Sequence, residues 1–281
     1  TNTYGTPVVL PTSGYSNARP GYRFLGWNTS PTATPPLASF GIPEGGATLY
    51  AVWQPRSYTV TFDLNGAPGN PPAAITALVD TNIELRSMYI YREGYFFIGW
   101  ATSPDAEVTE SLDHYTVPPR NSVLYAIWME DDGSLDLVAR EGSTTVINKR
   151  LGLIYGLLPG TDEEAFLTQY AQVIGDAHLR ITYHDDKFGT ATKVELIDSS
   201  NQVVLRTFYV IIFGDVTGDS LVDQTDLDFI KAAASHQTNF DGSKYFMMAA
   251  DLNGDGTVDA FDYNLVKAIE KGLIVFDRIY L

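Results

Sequence analysis

Two stretches of this chain, DVTGDSLVDQTD (215–226) and DLNGDGTVDAFD (251–262), repeat one twelve-residue pattern 36 residues apart. Oxygen-bearing side chains occupy positions 1, 3, 5, 9 and 12 of both. Four carboxylates in so short a segment repel one another unless something neutralises them. A hard cation does this well: Ca²⁺ takes six to eight oxygens at about 2.3–2.6 Å, and a tight loop can wrap that many around one ion, with a backbone carbonyl at position 7. Asp215, Thr217, Asp219, Asp223 and Asp226, with the carbonyl of Leu221, are the expected ligands of a first ion. Asp251, Asn253, Asp255, Asp259 and Asp262, with the carbonyl of Thr257, are those of a second. Position 9 can act through water, and position 12 is the expected bidentate ligand. Two solvated turns or a catalytic aspartate pair are rival readings. Recurrence in register argues against both, because the repeat already explains every aspartate.

The spacing is that of the EF-hand calcium loop, with departures. Position 12 is Asp in both loops, where an EF-hand carries Glu. Position 6 is Gly256 in the second loop and Ser220 in the first. A non-glycine in the left-handed region carries a cost, so the first loop is expected to be the more strained and the weaker site. Val222 and Val258, both at position 8, suggest a short β-bridge between the loops. Helices are predicted after each loop, DLDFIKAAASH from Asp226 and DYNLVKAIEKG from Asp262, where Leu227 and Ile230 match Tyr263 and Val266 at helical spacing. A further helix, SKYFMMAA (243–250), is predicted to lead into the second loop, whereas the strand-like YVIIFG precedes the first. The unit is therefore loop–helix, not helix–loop–helix.

A second duplication occupies the other end. GYRFLGW (21–27) recurs as GYFFIGW (94–100), and LYAVW (49–53) as LYAIW (124–128), at offsets of 73 and 75 residues. The second copy opens with SYTVTFDLNG (57–66), which alternates apolar residues and ends on an Asn65-Gly66 turn signal. The first copy has no counterpart to that strand, so the chain is expected to begin inside a repeat. All four tryptophans, Trp27, Trp53, Trp100 and Trp128, lie in these repeats. They could be glycan platforms, but their place beside glycine and alternating apolar residues favours core. Between the duplications, SLDLVAR, TTVINK, GLIYGL, LRITYH, TKVELID and VVLRTFYVIIF read as strands of a β-sandwich-like module. One helix is predicted there, TDEEAFLTQYAQV (161–173), with Thr161 as N-cap and Glu164 completing a capping box. Asp185-Asp186 reads as a solvated turn.

These motifs carry three resemblances. TVTFDLNG, GYFFIGW and LYAIW resemble, in family order, the internalin-type B-repeat of Gram-positive surface proteins (the Listeria–Bacteroides repeat). That implies small β-grasp-like stalk or interaction modules over 1–56 (N-terminally incomplete) and 57–130. Residues 131–212 are similar, more loosely, to the immunoglobulin-like X modules that precede dockerins. Residues 213–281, with Asp at position 12 and AADLNGDGTVDAFD, resemble a type I-like dockerin: an all-α domain with paired EF-hand-like calcium loops that binds a cohesin on a scaffoldin or surface protein. The resemblance implies two calcium ions. It also places partner contacts at Gln224, Thr225, Lys231, Ala232 and His236 in the first half, and at Ala260, Phe261, Lys267, Ala268 and Gly272 in the second. Gln-Thr and Ala-Phe differ greatly in polarity, so one binding orientation is expected to dominate. Lys231 and Lys267 could equally serve helix solubility, and Phe261 could anchor a partner or pack on the X-like module. Phe276 or Tyr280 is expected to pack near Phe213 or the X-like module and clasp the dockerin ends.

The whole reads as a non-catalytic, extracellular or cell-surface assembly region of a Gram-positive-type bacterium, with X-like module and repeats as spacer. It implies a cohesin partner and polysaccharide only through upstream modules. A surface adhesin whose repeats bind a glycan or protein ligand is the alternative. Composition narrows the rest. The net charge of −16, with 25 of 34 acidic residues from Glu130 onward, excludes a nucleic-acid role. There is no cysteine for disulfide or thiolate chemistry. No apolar run approaches the roughly 20 residues of a membrane span, no histidine pair has metal spacing, and no Gly-x-Ser-x-Gly nucleophile motif occurs.

Overall fold

The computed structural model describes residues 5, 7–15, 17–85, 88, 90–184, 186–240 and 243–274. Among the described residues strands dominate, with four short α-helices. The chain forms two compact units, residues 1–90 with 99–127, and 91–98 with 128–281.

Both repeats form from alternating strands. The opening strand of the second repeat, Ser57–Asp63, runs parallel to its closing strand, Ser122–Glu130, setting Val60 opposite Ser122 and Phe62 opposite Leu124. The sheet order is Ile75–Leu78, Ser57–Asp63, Ser122–Glu130, Tyr95–Ala101. Val60, Phe62 and Leu124 are buried while Thr61 and Val123 are exposed, the period-two pattern of a half-covered sheet. The Asn65-Gly66 turn forms as expected. Asn65 is left-handed (φ 51) and its amide donates to the carbonyls of Pro104 (2.7 Å) and Ala126 (3.1 Å), tying the turn to the closing strand. Trp100 is fully buried, edge-on to Phe62 at 4.8 Å.

The first repeat keeps the paired strands Tyr22–Asn28 and Tyr50–Pro55, with a bulge between Phe24 and Gly26. Its Pro7–Val8 pairs with Phe40–Gly41, as Asn82–Glu84 pairs with His114–Thr116 in the second repeat. No described strand of the first repeat matches Ser57–Asp63. Trp27, the counterpart of Trp100, is half-buried; it meets Tyr15 and Phe24 edge-on, and its indole N–H donates to the Pro11 carbonyl at 2.8 Å. Trp53 packs on Phe24, and in the second unit Trp128 packs on Phe97. The tryptophans are packing residues.

In the second unit five strands form a mixed sheet in the order Val146–Asn148, Leu153–Tyr155, Val204–Val210, Lys193–Asp198, Ala177–Thr182. A two-stranded sheet, Asp136–Ala139 with Ala171–Ile174, shares its core: Leu137 and Ala171 cluster with Val194, Leu196, Leu205, Phe208 and Phe96. The helix predicted over 161–173 is corrected. Only Glu163–Ala165 (α1) is α-helical, Phe166–Tyr170 is a wider π-type turn, and from Ala171 the chain joins the strand pair. Strand pairing and burial of Phe166 and Ala171 override the local helical preference. Its N-cap is Asp162, which accepts from the Ala165 N–H at 2.7 Å; the Thr161 hydroxyl donates instead to the Leu158 carbonyl at 2.6 Å. Asp186 is left-handed (φ 59), as a turn requires, and Asp185 lies outside the described residues.

The C-terminal helices form where the periodicity placed them: α2 (Gln224–Ala234), α3 (Lys244–Ala250) and α4 (Ala260–Glu270). Their core is continuous with the strand module. Leu227, Ile230, Ala249, Val266 and Ile269 cluster with Leu153, Tyr155, Ile211 and Phe213, and Tyr245 stacks on Tyr209 at 4.2 Å. The bridge expected between Val222 and Val258 is not among the described residues; both valines pack into this core instead. The expected clasp by Phe276 or Tyr280 lies outside the described residues.

Candidate functional site

The two acidic loops close by the same local chemistry. Asp223 caps α2 by accepting from the Thr225 N–H (2.7 Å), and Asp226 answers by accepting from the Asp223 N–H (3.0 Å). Asp259 and Asp262 do the same for α4, with Phe261 N–H at 2.7 Å and Asp259 N–H at 3.0 Å. Each is a reciprocal capping box that also places a carboxylate at the positive helix terminus. The position-12 carboxylate reaches back across its loop. Asp226 takes the N–H groups of Val216 (2.9 Å) and Thr217 (3.1 Å), and Asp262 takes those of Leu252 (2.9 Å) and Asn253 (3.3 Å). The last residue of the pattern is thereby held to the second and third in both loops.

The surroundings differ. Loop one is buried. Asp215 is 0 % exposed; its carboxylate accepts from Gly218 (2.7 Å), Asp219 (3.1 Å) and Ser220 (3.1 Å) within the loop, and from Thr190 (2.8 Å) in the strand module. The strain expected at position 6 is present: Ser220 has φ 72. Its hydroxyl donates to the Thr161 carbonyl at 2.6 Å, and its own carbonyl accepts from the Gly160 N–H at 2.6 Å. Lys187 Nζ lies 3.3 Å from Asp219. Residues 253–257 of loop two are exposed, and a Cβ on Gly256 (φ 87) would touch nothing within 4 Å.

The carboxylates are engaged by N–H donors rather than gathered on one point: among the described residues no three acidic or imidazole side chains converge as a preformed cage. The donor set nonetheless suits a hard cation. Every side chain at positions 1, 3, 5, 9 and 12 offers oxygen, the preference of calcium and not of thiophilic metals. Burial, with the Asp226 charge nearby, pushes the Asp215 carboxyl up to about 6. Closing a loop on buried like charges is unfavourable, and a bound cation offsets that.

The type I dockerin family matches residues 213–269. This region is a type I dockerin domain. Type I dockerins are calcium-binding modules that dock on cohesins. The Listeria–Bacteroides repeat family matches residues 1–52 and 58–127; neither family is catalytic. Among curated proteins the chain is 30% identical over 148 residues to a "Putative Gly-rich membrane protein" of Evansella cellulosilytica, covering 48% of this chain and 17% of that protein. It is 27% identical over 114 residues to Internalin H of Listeria monocytogenes, covering 40% of this chain and 20% of that protein. The chain thus spans about a fifth of the length of the curated relatives it matches. No solved structure matches it. No described helix is long and apolar enough to cross a membrane.

The dockerin presents the expected contact positions unevenly. Gln224, Thr225, Lys231 and His236 are exposed, and Ala232 is half-buried. Ala260 is exposed, Lys267 and Ala268 are half-buried, and Phe261 stands out at 57% exposure. Phe261 therefore does not pack on the strand module. Gly160, Thr161, Lys187, Gly189 and Thr190 were not singled out as part of this site from sequence. They lie in module turns, and only the fold brings them to loop one.

Proposed function

We propose that this chain is a calcium-dependent assembly segment. Its dockerin binds a cohesin on a scaffoldin or cell-surface protein, outside the cell, while residues 131–212, read as an immunoglobulin-like X module, and the repeats act as a spacer. One ion would be held by Asp215, Thr217, Asp219, Asp223 and Asp226 with the Leu221 carbonyl. A second would be held by Asp251, Asn253, Asp255, Asp259 and Asp262 with the Thr257 carbonyl. Bound calcium would supply positive charge that gathers the loop oxygens. The chain itself contributes the capping boxes, which fix each helix start relative to its loop. The observation that carries this reading is the paired arrangement: two loops closed by one bonding scheme, each opening an amphipathic helix, inside a region matched as a dockerin.

Partner contacts would come from Gln224, Thr225, Lys231, Ala232 and His236 on one half, and Ala260, Phe261, Lys267 and Ala268 on the other. Pull-down of the full chain on a panel of cohesins, with calcium and with EDTA, tests the reading. Capture by at least one cohesin, lost in EDTA, is the expected result; calcium-independent capture, or none across types, overturns it.

A second reading has its own observation. Beside the parallel strand pair of the second repeat lies an open groove of about 440 Å³, lined by Thr59, Thr61, Tyr115, Arg120, Asn121 and Tyr125 among others. Hydroxyls, an amide and tyrosine faces suit a glycan ligand, so the repeat could act as an adhesin module. A glycan array probed with the chain, repeated with Tyr125→Ala, separates the two. Glycan binding abolished by that change supports the adhesin role, and no binding at all removes it.

A further inference from the structure

The dockerin halves share a sequence pattern and differ in what holds them when calcium is scarce. Loop one has supports outside itself. Thr190 donates its N–H to Asp215 at 2.8 Å and is itself 0 % exposed, its hydroxyl bonded to both the N–H (3.1 Å) and the carbonyl (3.2 Å) of Ile212. Ser220 is fastened on two sides by 2.6 Å bonds, hydroxyl to Thr161 and carbonyl from Gly160. Lys187 offsets the charge of Asp219. The approach is so close that a Cβ on Gly189 would come within 2.3 Å of the Gly218 carbonyl. By contrast, the exposed Asn253 and Asp255 of loop two bond within their own loop, to Thr257, Asp262 and each other.

A loop whose backbone is already pinned by neighbours loses little order when its ion leaves. One whose exposed residues, 253–257, bond only within the loop recovers more conformational freedom when its ion leaves. Loop two also opens α4, so the residues it orders include Ala260 and Phe261. From this contrast we infer that the two calcium loops have divided roles. Loop one is a fixed joint between the strand module and the dockerin, with Thr190, Ser220 and Lys187 as positioning residues. Loop two is the calcium-responsive element, and it controls presentation of the Phe261 surface. The inference rests on the calcium reading above. It reverses the expectation that Ser220 marks the weaker site, because the module absorbs the strain that a free loop would carry.

Hydrogen exchange on the full chain, read by mass spectrometry in excess calcium and again in EDTA, tests this without any cohesin. In EDTA, amides of 251–262 and the first turn of α4 are expected to exchange at least about tenfold faster, while those of 215–226 change less than about threefold. Equal loosening of both loops, or loss of loop one first, overturns the division of roles. No change in either loop overturns it too, and in that case the calcium reading itself has failed. Two variants locate the cause. Ser220→Gly with Lys187→Ala keeps the Thr190 and Gly160 bonds, so it should raise exchange over 215–226 in EDTA by more than Lys187→Ala alone without reaching that of 251–262; no added rise removes the Ser220 hydroxyl from the joint. Lys187→Ala alone changes a largely exposed side chain and leaves the fold testable. It should raise loop-one exchange in EDTA by about threefold and leave loop two unaltered; no rise removes Lys187 from the joint.

Discussion

The N-terminal duplication and the C-terminal one diverge in the same way. In each, a neighbouring segment covers one copy more closely than the other. Trp100 is sealed by Phe62 of the opening strand, whereas its counterpart Trp27 is half-buried against Tyr15 and Phe24. Loop one is sealed by Gly160, Thr161 and Thr190, whereas residues 253–257 of loop two face solvent. Matching motifs thus acquire different surroundings from what lies beside them. A repeat read from sequence identifies equivalent positions but does not make them equally important.

The largest consequence should appear in the repeats. Trp100→Ala deletes a ring at 0 % exposure and should cost about 3–5 kcal/mol in its repeat. Trp27→Ala removes a half-buried ring and should cost roughly half as much. Because a chain of several modules need not unfold in one step, the measurement is segment-resolved hydrogen exchange over 57–127 and 7–55. Equal losses at the two sites would break the comparison.

Next in size is the joint at loop one. In Gly189→Ala the new Cβ would meet the Gly218 carbonyl at 2.3 Å and the Ser220 nitrogen at 2.6 Å, both backbone atoms that cannot swing aside. A loss of about 2–3 kcal/mol is expected. Gly256→Ala is the control in loop two. It meets open space, so its penalty is only the left-handed backbone at φ 87, about 1–2 kcal/mol. Chemical unfolding followed by tyrosine and tryptophan fluorescence, with calcium held fixed, compares the pair; a larger loss at Gly256 would contradict the account of loop one as the packed copy.

How much of this was legible beforehand divides along the same line. Features set by local chemistry were readable. The helices after each loop lie within two residues of where periodicity put them; the Asn65-Gly66 turn and the left-handed Gly256 follow from residue type, and the left-handed Ser220 from its place in the loop pattern. Features set by distant partners were not. The helix expected over 161–173 gave way at Ala171 because Asp136–Ala139 offered a strand to pair with. Val222 and Val258 found a shared apolar core rather than each other's backbone. Thr190 and Gly189 carry no periodic or motif signal, since their role at loop one exists only after strands Lys193–Asp198 and Val204–Val210 have paired. Ser220 shows the limit most clearly: its place at position 6 foretold its strained backbone, but not the Thr161 carbonyl that holds it there.

Ser220→Ala sharpens that point. It keeps the strained backbone and removes the 2.6 Å bond, leaving the Thr161 carbonyl without that donor in a site where Ser220 is 6% exposed. A buried acceptor left unsatisfied costs about 1–3 kcal/mol. The equivalent change in loop two, Gly256→Ser, adds a hydroxyl to open solvent and carries only the backbone penalty. Thermal unfolding of both variants at saturating calcium should rank Ser220→Ala as destabilised through the module, with faster exchange at 158–161 as well as 215–226. Loss confined to 215–226 would mean that the hydroxyl serves its own loop alone.

The smallest expected effect lies at the proposed partner surface. Phe261, at 57% exposure, contributes little to the fold, so Phe261→Ala should leave unfolding within about 0.5 kcal/mol of the parent chain. An exposed aromatic beside a rigid helix start is nevertheless a good anchor, because its ring brings large contact area with few rotors to freeze. Loss of about tenfold in cohesin affinity, near 1.4 kcal/mol, is expected for Phe261→Ala, against threefold or less for Thr225→Ala at the matching place in the first half. Titration calorimetry of each variant against one cohesin reads both numbers directly. The ratio between them measures the orientation preference. If the polar Gln224-Thr225 face carried binding as well as the Ala260-Phe261 face, either single change would leave the other orientation available and affinity would fall by no more than about twofold in both.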